Sequence, residues 1–81
     1  MPTDIEEYTA FVKRILAATA RRVSDGDIEG LTALAELESV VDSALRQSVV
    51  RLRADPWNYS WTDVGRALSI TRQAAQQRFG H

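Results

Sequence analysis

Two helix-capping signals near the C-terminus constrain the fold of this 81-residue chain more than any other feature. Ser60 and Asp63 have the spacing of a capping box, which predicts a short helix over 61–68. Thr71 can cap a second helix that runs to about Phe79. Two short helices joined by a turn of about three or four residues form a helix-turn-helix.

The apolar and small residues of this segment favour close packing of its two helices. Gly65 follows inward-facing Val64 at the point where the helices cross, and a side chain there would hold them apart. Ile70 in the turn and Ala75 in the second helix supply apolar contacts, and Gly80 is expected to end that helix as a glycine C-cap. The alternative is a C-terminal helical hairpin that only packs on the rest of the chain.

The second helix exposes long polar side chains that are not acidic. Arginine can pair with guanine, and glutamine with adenine, through two hydrogen bonds each. Base contacts are therefore predicted for Arg72, Gln73, Gln76 and Gln77. Phosphate contacts are predicted for Arg66, Thr71 and Arg78.

Residues 59–79 resemble the helix-turn-helix of transcription regulators, especially the promoter-reading helices of bacterial sigma factor region four. The whole chain also resembles short helix-turn-helix proteins of actinobacteria and their phages. The resemblance aligns the four predicted base-contacting residues with the DNA-facing positions of sigma factors. Glycine is usual in the turn where Ser69 stands, so we expect a positive φ there. An aliphatic residue is usual near Arg78, and Phe79 can supply that apolar anchor instead.

The charge of the chain is unevenly distributed. Residues 1–45 hold nine acids and four bases, whereas residues 46–81 hold six arginines and two aspartates. These give net charges of −5 and +4, which add to the overall −1. This asymmetry favours binding of a polyanion by the C-terminal part. The alternative is that the charges are distributed at random over a soluble surface.

Other function classes find little support in the sequence. The lone histidine is terminal His81, and there is no phosphate-binding glycine loop, nucleophile elbow or cysteine, so neither an enzyme nor a cofactor is predicted. The acids around Gly26 lack the spacing of a calcium loop, so no metal is expected. No apolar run approaches a membrane span and no leader peptide is evident, which predicts a cytoplasmic protein without a membrane partner.

The N-terminal part is predicted to form two amphipathic helices. Thr3 and Glu6 can form a capping box that opens the first helix, roughly Asp4 to Val23. One face of it carries an apolar stripe that we expect to be core: Ile5, Tyr8, Val12, Ile15, Leu16, Thr19 and Val23, with Phe11 at its edge. Gly26 and Asp27 are then expected to cap the junction with the next helix.

The second helix, about Ile28 to Ala54, carries two apolar stripes. One stripe comprises Leu31, Leu34, Leu45, Val49 and Leu52. The other, about a quarter turn away, comprises Leu37, Val40, Val41 and Ala44. The first helix can cover one stripe, and the other needs either the helix-turn-helix or a second subunit. A homodimer with the second stripe as its interface is the favoured prediction.

The connection before the helix-turn-helix contains Trp57, Tyr59 and Trp61. Aromatic rings can stack on single-stranded bases, but packing against the long helix is the favoured interpretation.

Together these patterns predict an all-α single domain over 1–81, with a dimerisation and scaffold region over 4–54 and the helix-turn-helix over 59–80. The predicted function is sequence-specific binding of double-stranded DNA by a homodimeric transcription regulator. The alternative is an adaptor that binds a sigma factor, RNA polymerase or another regulator without reading DNA.

Overall fold

The computed structural model describes residues 4–80, and within that range the regular structure is entirely helical, as the sequence predicted. Four helices follow one another: α1 (Asp4–Ser24), α2 (Ile28–Arg53), α3 (Trp61–Ala67) and α4 (Arg72–Phe79). The predicted helix boundaries hold to within one residue. The capping box expected at Thr3 lies outside the described residues, as does His81.

The chain divides into two compact units, Met1–Val40 and Val41–His81, with the division inside α2. The N-terminal unit holds α1 and the first part of α2. The C-terminal unit holds the rest of α2 together with α3 and α4.

In the N-terminal unit, the junction of α1 and α2 has the predicted caps. Gly26 has a φ of 102°, which favours glycine. The Gly26 amide donates to the Val23 carbonyl (2.9 Å) and the Asp27 amide to the Arg22 carbonyl (3.1 Å), the pair of bonds that defines a Schellman cap. Asp27 then caps α2 by accepting a hydrogen bond from the Gly30 amide at 3.3 Å.

The apolar stripe of α1 is not core in the single chain, so that prediction is wrong. No residue of Asp4–Ser24 is buried. Exposed fractions reach 71% for Ile5, 65% for Tyr8 and 48% for Val12. The C-terminal end of the stripe is half-buried at Leu16, Thr19 and Val23, but the described part of the chain leaves the rest exposed. The physical reason is that helical periodicity shows which side of a helix is apolar but not what packs on it.

The C-terminal unit, in contrast, encloses a small core. Four of its hydrophobic side chains are buried: Val49, Val64, Ala75 and Phe79. Four partly buried ones pack around them: Leu45, Trp61, Leu68 and Ile70. The last turns of α2 thus contribute two members of one predicted stripe, Leu45 and Val49, to this core, whereas Leu31 and Leu52 of the same stripe are 52% and 43% exposed.

The remaining apolar positions of α2 are more exposed. Val40, Val41 and Leu37 are 62%, 58% and 39% exposed, and Ala44 is also exposed. Each is accessible enough to belong to an interface, but the dimer itself stays a prediction.

The connection between α2 and α3 positions only one of its three aromatic residues against the core. The Arg53 guanidinium lies 3.9 Å from the Trp61 ring centroid, and Trp61 packs against the core. Trp57 is 63% exposed and Tyr59 46% exposed, so the packing interpretation is wrong for Trp57 and only partly met by Tyr59. The Tyr59 amide donates to the Leu52 carbonyl at 2.9 Å, which ties the connection back to α2.

Candidate nucleic-acid interface

Helix α3 begins with the predicted capping box. The Asp63 amide donates to the Ser60 hydroxyl at 3.1 Å, and the Ser60 amide donates to the Asp63 carboxylate at 3.0 Å. The Ser60 amide and hydroxyl both hold the pKa of Asp63 below its ordinary value, because they donate to its ionised form, and the charge of Arg66 acts in the same direction. The start of α3 is therefore fixed by reciprocal local bonds.

The turn between α3 and α4 depends on one glycine and one strained serine. A Cβ on Gly65 would lie 2.8 Å from the Ile70 carbonyl oxygen and 3.0 Å from that of Thr71. Gly65 is thus required as predicted, although the close approach is to the backbone of the turn rather than to a side chain of α4. Ser69 has a φ of 57°, which confirms the positive φ predicted at that position.

Helix α4 is capped at its start and anchored by two buried residues. The Thr71 hydroxyl accepts from the Ala74 amide at 3.0 Å, as an N-cap should. Ala75 is fully buried and Phe79 is 7% exposed, which confirms both as apolar anchors. Gly80 is the C-cap of α4, as predicted, although its φ of −84° is not left-handed; its amide donates to the Gln76 carbonyl at 2.8 Å.

The end of α4 is held by α2 through Arg46, a residue that the sequence analysis missed. The Arg46 side chain donates to the Arg78 carbonyl at 2.8 Å and to the Asp42 carboxylate at 2.8 Å. Its guanidinium also lies 5.6 Å from the Phe79 ring centroid. The i, i+4 spacing of Asp42 and Arg46 could have suggested their pairing, but nothing local indicates that the arginine reaches α4.

The exposed face of α4 consists of the four predicted base-contacting side chains. Gln73 and Gln77 each precede a buried anchor by two residues, about 200° around the helix, and so point away from the core. Arg72 and Gln76 are also exposed. Within residues 4–80 these four side chains form no hydrogen bond or ion pair, which leaves their donors and acceptors available to a ligand.

The three predicted phosphate-contacting residues differ in their surroundings. Arg66 is exposed on α3. The Thr71 hydroxyl oxygen is used in the cap, but its hydrogen can still be donated. Arg78 pairs with Asp42 at 3.8 Å and lies 4.8 Å from the Phe79 ring centroid, so it would have to leave these partners to bind phosphate.

An open, mostly apolar groove of about 430 Å³ lies beside α3. It is lined by Leu52, Tyr59, Asp63, Val64, Arg66 and Ala67. No part of the described chain fills it, and its mostly apolar lining suits an apolar side chain of another protein.

Among residues 4–80, no group of three or more acidic, histidine or cysteine side chains is arranged to hold a metal ion. None of the helices in the same range combines the length and apolarity needed to cross a membrane.

Comparison with known proteins finds distant mycobacterial relatives. The chain is 28% identical over 78 residues to uncharacterized proteins of Mycobacterium bovis and of two strains of Mycobacterium tuberculosis. The similarity covers 96% of this chain but only 29% of each relative, so the chain spans less than a third of their length. No family model matches the chain, and neither does any solved structure.

Proposed function

We propose that this chain is a cytoplasmic transcription regulator that reads double-stranded DNA through α4. The observation that carries the proposal is the combination of a free polar face with an anchored helix. Arg72, Gln73, Gln76 and Gln77 have no partner within the described chain, while Ala75 and Phe79 fix another side of the same helix in the core. A rigid element with uncommitted hydrogen-bonding groups is what base reading requires.

In this proposal α4 enters the major groove, which is wide enough to admit a helix. Arg72 and Gln73 in its first turn, and Gln76 and Gln77 one turn later, address neighbouring base pairs. No carboxylate lies on α4 to repel the DNA, and the only acid on α3 is Asp63, whose Oδ2 accepts hydrogen bonds from both the amide and the hydroxyl of Ser60.

Phosphate contacts would set the position of α4 in the groove. Exposed Arg66 and the Thr71 hydroxyl hydrogen suit this role, supported by the net charge of +4 over residues 46–81. Arg78 contributes only if DNA competes with Asp42 for its guanidinium. The proposal also includes a homodimer, because helix-turn-helix proteins commonly pair two DNA-binding units across a two-fold axis. The sequence alone predicts Leu37, Val40, Val41 and Ala44 of α2 as its interface.

Selection of bound duplexes from a random DNA pool tests the proposal, followed by titrations of the selected site at several salt concentrations. We expect one recurring sequence to be enriched. Arg66→Ala should then reduce the slope of log affinity against log salt by about one, since one phosphate contact is lost. Arg21→Ala is the matched control: it removes an exposed arginine from α1 and should leave the slope less changed.

The groove beside α3 supports a second candidate function, an adaptor that binds a sigma factor, RNA polymerase or another regulator. An adaptor of this kind would not retard genomic DNA fragments in a gel at moderate salt. Ala67→Glu would place a charge in the groove and should abolish adaptor binding while leaving the four α4 side chains in place. Failure of the native chain to enrich any sequence or retard DNA would replace the first proposal by this one.

A further inference from the structure

The N-terminal part of the α1 apolar stripe is exposed and has no role in DNA reading. Five of its large side chains, Phe11 at the edge included, are about half exposed or more: Ile5, Tyr8, Phe11, Val12 and Ile15. Monomeric proteins rarely leave a contiguous apolar surface of this kind open, and such surfaces commonly mark protein–protein contacts.

The charges of α1 indicate which partner suits this face. The first turn of α1 is acidic, with Asp4, Glu6 and Glu7, and the last turn is basic, with Arg21 and Arg22. Asp4 and Arg22 are separated by five whole turns at about 3.6 residues per turn, so both lie on the same side of the helix. At 100° per residue, Asp4 and Arg22 lie about 70° around the helix axis from the centre of the apolar stripe, and so flank it on one side.

We propose that the stripe is covered by α1 of a second copy of the chain, running antiparallel. In this arrangement the acidic start of each α1 lies beside the basic end of the other, and the two-fold symmetry makes the contact occur twice. A parallel pair would instead place like charges together at both ends. The proposal differs from the sequence prediction, which assigned the homodimer interface to α2, and it does not depend on what the C-terminal unit binds.

The charge pairing also sets the register. If Asp4 faces Arg22 of the second copy, the two-fold axis passes near position 13, and Ile15 lies opposite Phe11 of the second copy. Tyr8 and Thr19 of the second copy are then neighbours across the stripe. Arg22 is already 3.7 Å from Asp27, but that pair is exposed and long enough to be exchanged for a second partner.

Engineered disulfides can test this register directly, since the natural chain has no cysteine. Tyr8→Cys and Thr19→Cys are prepared as separate full-length variants and mixed under mild oxidation. The antiparallel register predicts that the mixture forms a cross-linked dimer, while each variant alone forms little. Strong cross-linking of Tyr8→Cys with itself would indicate a parallel pair and overturn the proposal.

Charge reversal provides a second measurement that does not depend on cysteine geometry. Asp4→Arg should weaken dimerisation by about tenfold in sedimentation equilibrium, because two exposed charge pairs become repulsive. The double variant Asp4→Arg, Arg22→Asp restores opposite charges and should recover most of the loss. Failure of the double variant to recover dimerisation would overturn the pairing of these two residues.

The α2 stripe must be distinguished from the α1 face. Val12→Asp introduces a charge on the α1 stripe and should abolish the dimer, whereas Val41→Asp on α2 should have the smaller effect. The opposite ranking would assign the interface to α2 and overturn the proposal. A native chain that is monomeric at about 10 µM would also overturn it, because a longer chain or a different protein would then have to cover the stripe.

Discussion

The two halves of this chain reach order in different ways. Residues 4–40 form long, well-capped helices without a single buried side chain, whereas residues 41–80 bury Val49, Val64, Ala75 and Phe79 around one small core. Caps and periodicity are sufficient to define helices in both halves. Only the C-terminal half also brings its apolar faces together within one chain, whereas the N-terminal half leaves most of its large apolar side chains exposed.

The largest expected difference in stability is between alanine variants of the two phenylalanines, one in each half. Phe79 is 7% exposed and Phe11 57% exposed. Phe79→Ala should destabilise the C-terminal unit by about 3–5 kcal/mol, because it empties the core, and Phe11→Ala should change the stability of the monomer by less than about 0.5 kcal/mol. Denaturant unfolding followed by far-ultraviolet circular dichroism, which reports the helices of both units, compares the two at a concentration low enough to keep the chain monomeric. Equal losses would show that α1 has a core of its own.

A pair of helical glycines should give the next largest difference. Gly65→Ala places a methyl group 2.8 Å from a backbone carbonyl that cannot move without opening the turn, which should cost about 1–3 kcal/mol. In Gly30→Ala the obstructing atom is a methyl group of the Val23 side chain, also at 2.8 Å. Since alanine favours the helix by about 1 kcal/mol, Gly30→Ala should be nearly neutral. Thermal unfolding of both variants measures these losses. A Gly65→Ala protein as stable as the native chain would contradict the described turn.

Relief of backbone strain at Ser69 should stabilise the C-terminal unit, by less than Gly65→Ala destabilises it. Ser69 has a φ of 57°, and a left-handed conformation costs a residue other than glycine about 1–2 kcal/mol. Ser69→Gly should therefore stabilise the C-terminal unit by about 1 kcal/mol, after the greater entropy of glycine in the unfolded chain is offset. The preferred DNA sequence should not change. A loss of thermal stability would show that the serine side chain contributes more than its backbone strain.

The smallest expected change in stability comes from the capping box of α3 and depends on pH. Because folding lowers the pKa of Asp63, its ionised carboxylate stabilises the folded state above its ordinary pKa of 3.8, and this contribution is lost as the pH falls through the lowered value. Asp63→Asn should therefore reduce the decline in stability between neutral pH and pH 3. Asp25→Asn is the control, since it removes an exposed charge from the N-terminal unit without touching the capping box. Indistinguishable pH profiles for Asp63→Asn and the native chain would contradict this role.

The features that sequence could predict are those encoded locally. Ser60, Gly65 and Thr71 specify caps and a close approach within a few residues of themselves, and the structure confirms each. The contact of Arg46 with the end of α4 could not be predicted, because it joins residues 32 positions apart and depends on how α2 is placed in the folded unit. The exposure of the α1 stripe was missed for a related reason: periodicity identifies an apolar face without identifying its partner.

The central claim is that α4 reads bases, and the affinity ratio of Arg72→Ala for selected and scrambled duplexes tests it most directly. We predict that this variant loses about 1–3 kcal/mol on the selected duplex and much less on the scrambled one, so that the ratio falls at least about fivefold. Arg66→Ala should weaken both duplexes alike and leave the ratio unchanged. Equal losses on both duplexes for Arg72→Ala would contradict the claim, since Arg72 would then contact only phosphates.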